Sequence, residues 1–123
     1  LQLQLADLLD RRGQYPEAAR IYRDVLAREP NNFLAMNNLA WMLAHGGGNA
    51  REALEQIEKA LAGMGRRPDL LDTRGMVHLA LKDTASALAD LKEAAADGTS
   101  PQRLFHLARA HHEARDREAA RAT

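Results

Sequence analysis

Apolar residues recur along this chain at intervals of three and four, in short segments separated by Gly, Pro and Asn. Leu1, Leu5, Leu8 and Leu9 make the first such stripe, and Ala18, Ile21, Tyr22, Val25 and Leu26 the second. That spacing gathers side chains on one face of an α-helix, with polar residues on the other. Gly13 separates the two stripes, and glycine tolerates the left-handed conformation that ends many helices. Pro16 suits the first turn of the second helix, where its missing N–H would have had no partner. A connection this short leaves antiparallel neighbours as the arrangement, so the two segments predict a helical hairpin.

The hairpin then repeats. Residues 32–45 carry Leu34, Met36, Leu39, Ala40, Met42 and Leu43, and a turn is expected at Gly46-Gly47-Gly48. Residues 50–62 carry Ala53, Leu54, Ile57, Ala60 and Leu61, followed by a connection over 63–67 and Pro68 at a new start. Residues 69–82 and 84–96 make a third pair. Ser100-Pro101 reads as an N-cap and first helical position. A fourth pair is expected from Pro101, with the chain stopping inside its second helix at Thr123. No alternation of β-branched and aromatic residues marks a strand, so the chain is read as all-α.

Small residues keep the same beat. Ala18, Ala53, Ala87 and Ala120 lie 35, 34 and 33 residues apart. Ahead of each stands a pair whose second member is small: Leu5-Ala6, Leu39-Ala40, Arg74-Gly75 and Leu107-Ala108. Helices that cross closely need a small side chain at the crossing, and a repeat of this length signals stacked units that cannot bury their apolar faces alone. Arg74 stands out in an apolar position, where its burial costs desolvation unless a carboxylate pairs with it.

These residues resemble the tetratricopeptide repeat. Gly13-Gln14-Tyr15-Pro16-Glu17-Ala18, with Tyr22, Leu26 and Pro30-Asn31-Asn32, is similar to the second half of that repeat, and Asn37-Asn38-Leu39-Ala40-Trp41-Met42-Leu43 to its first half. The sequence departs from the pattern at Arg74, where leucine is usual, and at His78 and His111, where an aromatic is usual. It also carries an extra residue in the Gly46–Gly48 turn. The resemblance implies a right-handed α-solenoid of stacked antiparallel helix pairs, forming one domain over 1–123. Its repeats would span 1–32, 33–67 and 68–100, with a partial fourth over 101–123.

In that family the first helix of each pair lines a concave groove that takes a peptide or a helix. Carried onto this chain, the lining is Leu3, Asp7 and Asp10, then Leu34, Asn37, Asn38, Trp41 and His45, then Asp69, Asp72, Thr73 and Met76, and last Phe105, His106, Arg109 and His112. The partner-binding set is Asn37, Asn38, Trp41, His45, Asp72, Met76, Phe105 and Arg109. Asn37 and Asn38 both donate and accept hydrogen bonds. Trp41, Met76 and Phe105 offer apolar anchor surface, and Trp is enriched among interface anchors. A subclass that clamps a C-terminal carboxylate is disfavoured. Its matching positions are Leu3, Asp7, Asn38, Asp69 and Thr73, of which only the asparagine fits.

Composition narrows the reading. Lys plus Arg and Asp plus Glu are both 17, giving zero formal net charge. Non-specific nucleic-acid or anionic-membrane binding needs excess positive charge, so neither is expected. No apolar run approaches the ~18 residues that span a bilayer. Without cysteine there is no disulfide or thiolate metal site. His106, His111 and His112 fall on different helical faces, unlike the i, i+4 pair that grips zinc. His45-Gly46-Gly47-Gly48 has neither the lysine and strand of a phosphate loop nor a following Gly-x-Ser-x-Gly nucleophile. No enzymatic activity, metal or cofactor is expected. The chain begins at Leu1, as a cut or processed piece would, and compartment is left open. The expected function is protein–protein interaction through the groove; the alternative is a self-associating scaffold segment that pairs through exposed terminal helices.

Overall fold

The computed structural model describes residues 15–46 and 49–122. The stripe over 1–12, with Leu3, Asp7 and Asp10, lies outside the described residues, as do Gly13, Gln14, Gly47 and Gly48. Six helices follow one another: α1 (Tyr15–Arg28), α2 (Phe33–His45), α3 (Ala50–Met64), α4 (Pro68–Ala80), α5 (Thr84–Ala94) and α6 (Pro101–Ala122). There is no strand among the described residues.

Local chemistry sets the helix starts. Asn32 caps α2 by accepting from the Ala35 N–H at 3.0 Å, and Asn49 caps α3 through the N–H groups of Arg51 and Glu52. Asp83 caps α5 through Ser86, which holds its carboxyl below the ordinary value, hydroxyl contact first and backbone N–H second. Pro68 begins α4 where no N–H is needed. α3 runs to Met64, past the expected end at Ala62, and stops at Gly65, whose φ of 87° is costly for other residues.

Packing follows the expected beat. α2 lies against α3, α4 against α5, and the pairs stack so that α2 also meets α4. Ala18, Ala40, Ala53 and Ala87 are fully buried at the crossings. One core joins Tyr22, Leu39, Met42, Ile57 and Leu71; a second joins Met76, Leu79, Ala87, Leu91 and Ala110.

At Gly75 α4 and α5 approach closely. A Cβ built there would stand 2.5 Å from Leu91 Cγ, 2.6 Å from its Cδ2 and 3.4 Å from the Ala87 carbonyl oxygen. Leu91 is fully buried and cannot simply swing away. Gly75→Ala is therefore expected to destabilise the domain by about 1–2 kcal/mol, the overpacking cost outweighing alanine's helix propensity. Urea unfolding of the single variant and of Gly75→Ala/Leu91→Ala checks this. A more stable single variant would show the crossing to be looser than drawn.

The C-terminal segment corrects the sequence reading. Residues 101–122 form one unbroken helix, α6, rather than a helix followed by the start of another. Ala108 and Ala120, read as crossing residues, are exposed, because no further helix folds back among the described residues. α6 instead buries Ala110 and His106 against α4 and α5. No helix among the described residues is long and apolar enough to cross a membrane.

Candidate functional site

The first helices of successive pairs, α2, α4 and α6, make one side of the stack. α2 packs on α4, and α6 reaches α4 along a shorter contact. The sequence-selected residues divide sharply on this side. Phe105 is 66% exposed and Leu34 58% exposed, each from a different helix. Arg109 is exposed as well, its Nε 3.6 Å from Glu113 one turn on. Asn37 and Asn38 are half-buried on α2. His45 is exposed, and its Nδ1 lies 2.8 Å from the Trp41 carbonyl oxygen.

Asp72 and Met76, expected on the open face, are buried at 8% and 3% exposure. The reason is α6. His106 from that helix reaches down so that its Nδ1 lies 2.9 Å and 3.0 Å from the two Asp72 carboxylate oxygens. Met76 packs with Leu79, Leu91 and Ala110 beneath the same helix. Thr73 is buried too, its hydroxyl donating back to the Asp69 carbonyl at 3.2 Å. His106 was placed by sequence among groove-lining residues; the structure makes it a buried strut between α6 and α4.

Trp41 is half-buried and sits over this strut. Its ring lies 4.0 Å from that of His45 and 5.3 Å from that of His106, and its body packs on the Met76 cluster. Phe105 meets the far edge of His106 at 6.2 Å. Trp41 is thus neither sealed inside the solenoid nor free. It covers the middle of the inner side and leaves a cleft on either flank.

One flanking cleft, of about 200 Å³, lies where α2 and α4 begin. Phe33, Leu34, Met64 and Leu70 supply its apolar walls, and Asn37 lines it. The Asn37 Oδ1 is buried, and no donor among the described residues reaches it. Arg67 and Asp69 stand at the rim with Nε to Oδ1 at 3.5 Å. The other cleft, of about 100 Å³, is lined by His45, Met76, Arg109 and Glu113 among others. The sequence ranked Asn37 and Asn38 alike; orientation on α2 separates them.

Charge is largely self-satisfied. Arg23 donates twice to Glu52, at 2.9 and 2.7 Å, and Arg66 twice to Glu93, at 3.0 and 2.7 Å. Each arginine's hydrogen bonds hold its glutamate below the ordinary carboxylate value. The three C-terminal histidines do not converge: His106 is bound to Asp72, His111 is exposed, and His112 faces Asp116 at 3.5 Å.

Helix pairs stacked in this order have the helical-repeat fold of tetratricopeptide type. Residues 2–109 match the family described as the TT21 fifth ARM repeats domain, and the chain belongs to that family. No curated protein is significantly similar in sequence. Among solved structures, the Sgt2 TPR domain from Aspergillus fumigatus superposes with a TM-score of 0.80 at 20% identity, over 99% of this chain and 80% of that one. The second TPR domain of human RPAP3, in complex with an HSP70 peptide, gives 0.76 at 18% identity, over 89% and 92%. PcrH in complex with the chaperone binding region of PopD gives 0.73 at 17% identity, over 98% and 90%. The last two were solved as complexes, and their likeness to this chain is one of fold.

Proposed function

We propose that this chain is an interaction module that holds a peptide or helix of a partner protein against the side formed by α2, α4 and α6. The observation that carries the reading is the exposure of Leu34 and Phe105, two large apolar residues on the first helices of different pairs. Nothing in the core requires either to face water. Asn37, Asn38, Trp41, His45 and Arg109 lie between or beside them and supply amide, aromatic and cationic contacts. Asp72 and Met76 act beneath this surface by holding α6 and Trp41 in place. The complexed RPAP3 and PcrH domains support the reading, because each shares the fold and is solved with a bound partner segment.

The mode differs from a clamp on a chain-terminal carboxylate. Asp69 places negative charge at the matching position, and Thr73 spends its hydroxyl on the Asp69 carbonyl. An internal segment of a partner suits this surface better.

Leu34→Ser/Phe105→Ser is the test. Both residues are exposed, so helicity by circular dichroism is expected to stay at the wild-type level. Peptides selected from a random display library on the wild-type chain are expected to bind the double variant at least tenfold more weakly, at about 1.4 kcal/mol per tenfold. Equal binding to both proteins removes the inner side from the reading.

A further inference from the structure

We infer that the outer stripe of α6 is a docking site for an acidic amphipathic helix of a partner protein, seated there as α5 is seated on α4. Leu104, Ala108, His111 and Arg115 follow one another at steps of four, three and four, which aligns them along one helix face. All four are exposed. The stripe is distinct from Phe105 and Arg109 on the inner side, and from His106 and Ala110 buried beneath the helix. It is therefore independent of the function proposed above.

The molecule contains a template for such a face. Leu104, Ala108 and His111 stand 33 positions after Leu71, Gly75 and His78 of α4. Gly75 lies against Leu91 and the Ala87 carbonyl of α5, and the His78 Nε2 is 3.6 Å from Asp90 of that helix. Leu71 is 1% exposed and Leu104 43%, so the same residue type at the same step of the repeat is covered on α4 and bare on α6. No helix among the described residues covers the α6 stripe. A groove of about 390 Å³ runs past Ala108, His111, His112 and Arg115. It is larger than both inner clefts, with room for several side chains rather than one.

Shape and charge select the occupant. A Cβ at Gly75 would stand 2.5 Å from Leu91 Cγ, so α4 takes a leucine there only because it has no side chain of its own. α6 already carries that Cβ, from Ala108. A helix at the same distance must then offer something smaller than leucine at the crossing, and alanine fits. If it runs antiparallel, as α5 does to α4, a leucine one turn further on reaches Leu104 and dries it.

Along α6, Arg109 faces Glu113 and His112 faces Asp116, whereas neither His111 nor Arg115 has a carboxylate partner among the described residues. An antiparallel helix brings its opening turns to this end, where acidic residues also suit its own dipole. Carboxylates placed there meet Arg115 at an exposed rim, which sets partner choice more than raw affinity. A basic helix meets like charge instead.

The test titrates three acetylated, amidated, alanine-based helices of about 15 residues into the wild-type chain, followed by NMR; helices of that length begin to hold in water. The first carries two glutamates in its opening turns, an alanine at the crossing and a leucine one turn on. The second has lysines for the glutamates, and the third a leucine for the crossing alanine. The acidic probe is expected to move the Leu104 and Ala108 methyls and to leave those of Leu34 and Leu70 in place. The other two probes are expected to bind at least about fivefold more weakly. Arg115→Glu, at an exposed position, is expected to keep wild-type helicity and to reverse the order of the acidic and lysine probes. Equal binding of those two probes to the wild type, or an order unmoved by Arg115→Glu, overturns the assignment. So do shifts at Leu34 and Leu70 in place of Leu104, or no shifts at millimolar probe. Wild-type dimers in sedimentation that Leu104→Asp abolishes would give the stripe to a second copy and overturn it likewise. None of these outcomes touches the inner side, which stands or falls with Leu34→Ser/Phe105→Ser.

Discussion

Arg74→Leu is expected to destabilise the domain by about 3–5 kcal/mol, even though leucine is the residue the repeat pattern favours there. Arg74 donates from Nε and Nη2 to the two oxygens of Asp90, at 2.7 and 2.9 Å. Asp90 is only 5% exposed, and the groups left near it are His78, whose Nε2 stands 3.6 Å away, and Arg66, which donates twice to Glu93. The hydrogen bonds to Asp90 hold the guanidinium above its ordinary value, so it stays charged throughout the working pH range. Removing it strands a carboxylate inside the α4–α5 contact. Asp90→Leu should cost less, because the Arg74 side chain is 20% exposed and can lift its charged end into water. Arg74→Leu/Asp90→Leu should lie nearest to wild type, since apolar pairs of similar volume often replace buried ion pairs at little or no cost. Urea unfolding of the three variants at neutral pH gives the order. Total stabilities of about 5–15 kcal/mol for such domains make a loss of this size a large share of the whole, and the order of the three variants is the decisive readout. An Arg74→Leu variant within 1 kcal/mol of wild type, or a double variant worse than the single, overturns the account.

How much of this was legible in sequence depends on which partner each residue needed. Ala40, Ala53, Gly75 and Ala87 were readable as crossing positions because both crossing helices lie within one hairpin, and all four are buried. Ala108 and Ala120 carry the same local signature and are exposed. Their signature presupposes a partner helix, and periodicity cannot report whether one is there. Arg74 was readable as a residue in need of a carboxylate, and Asp90 supplies it from the next helix.

The inner side was less legible. Helical phase alone put Asp72, Met76 and His106 on the same surface as Phe105 and Arg109. Phase is blind to how far α6 leans across α4, and that lean buries the first three while leaving the last two in water. Asn37 and its neighbour Asn38 look equivalent in sequence, yet only Asn37 has a side-chain oxygen buried without a donor among the described residues. A difference of one helical step decided it.

Asp72→Leu is expected to cost about 1.5–3 kcal/mol, the worth of a hydrogen bond to a charged group, and to spend that loss almost entirely on α6. His106 is 7% exposed and directs Nδ1 at both Asp72 oxygens, so the variant leaves the imidazole buried against leucine. α6 has no later helix behind it among the described residues, and its remaining holds are the apolar contact through Ala110 and Leu107 and a hydrogen bond that Arg117 donates to the Lys82 carbonyl. Amide exchange should therefore accelerate by about tenfold or more along α6 while protection in α2 and α3 is kept. The chain's single tryptophan reports the same event. Trp41 lies 5.3 Å from the His106 ring and packs on Met76, so loosening α6 should wet the indole and shift its emission to longer wavelength. Uniform loss of protection, or unchanged emission beside faster α6 exchange, would show that the His106–Asp72 contact is not what pins this helix.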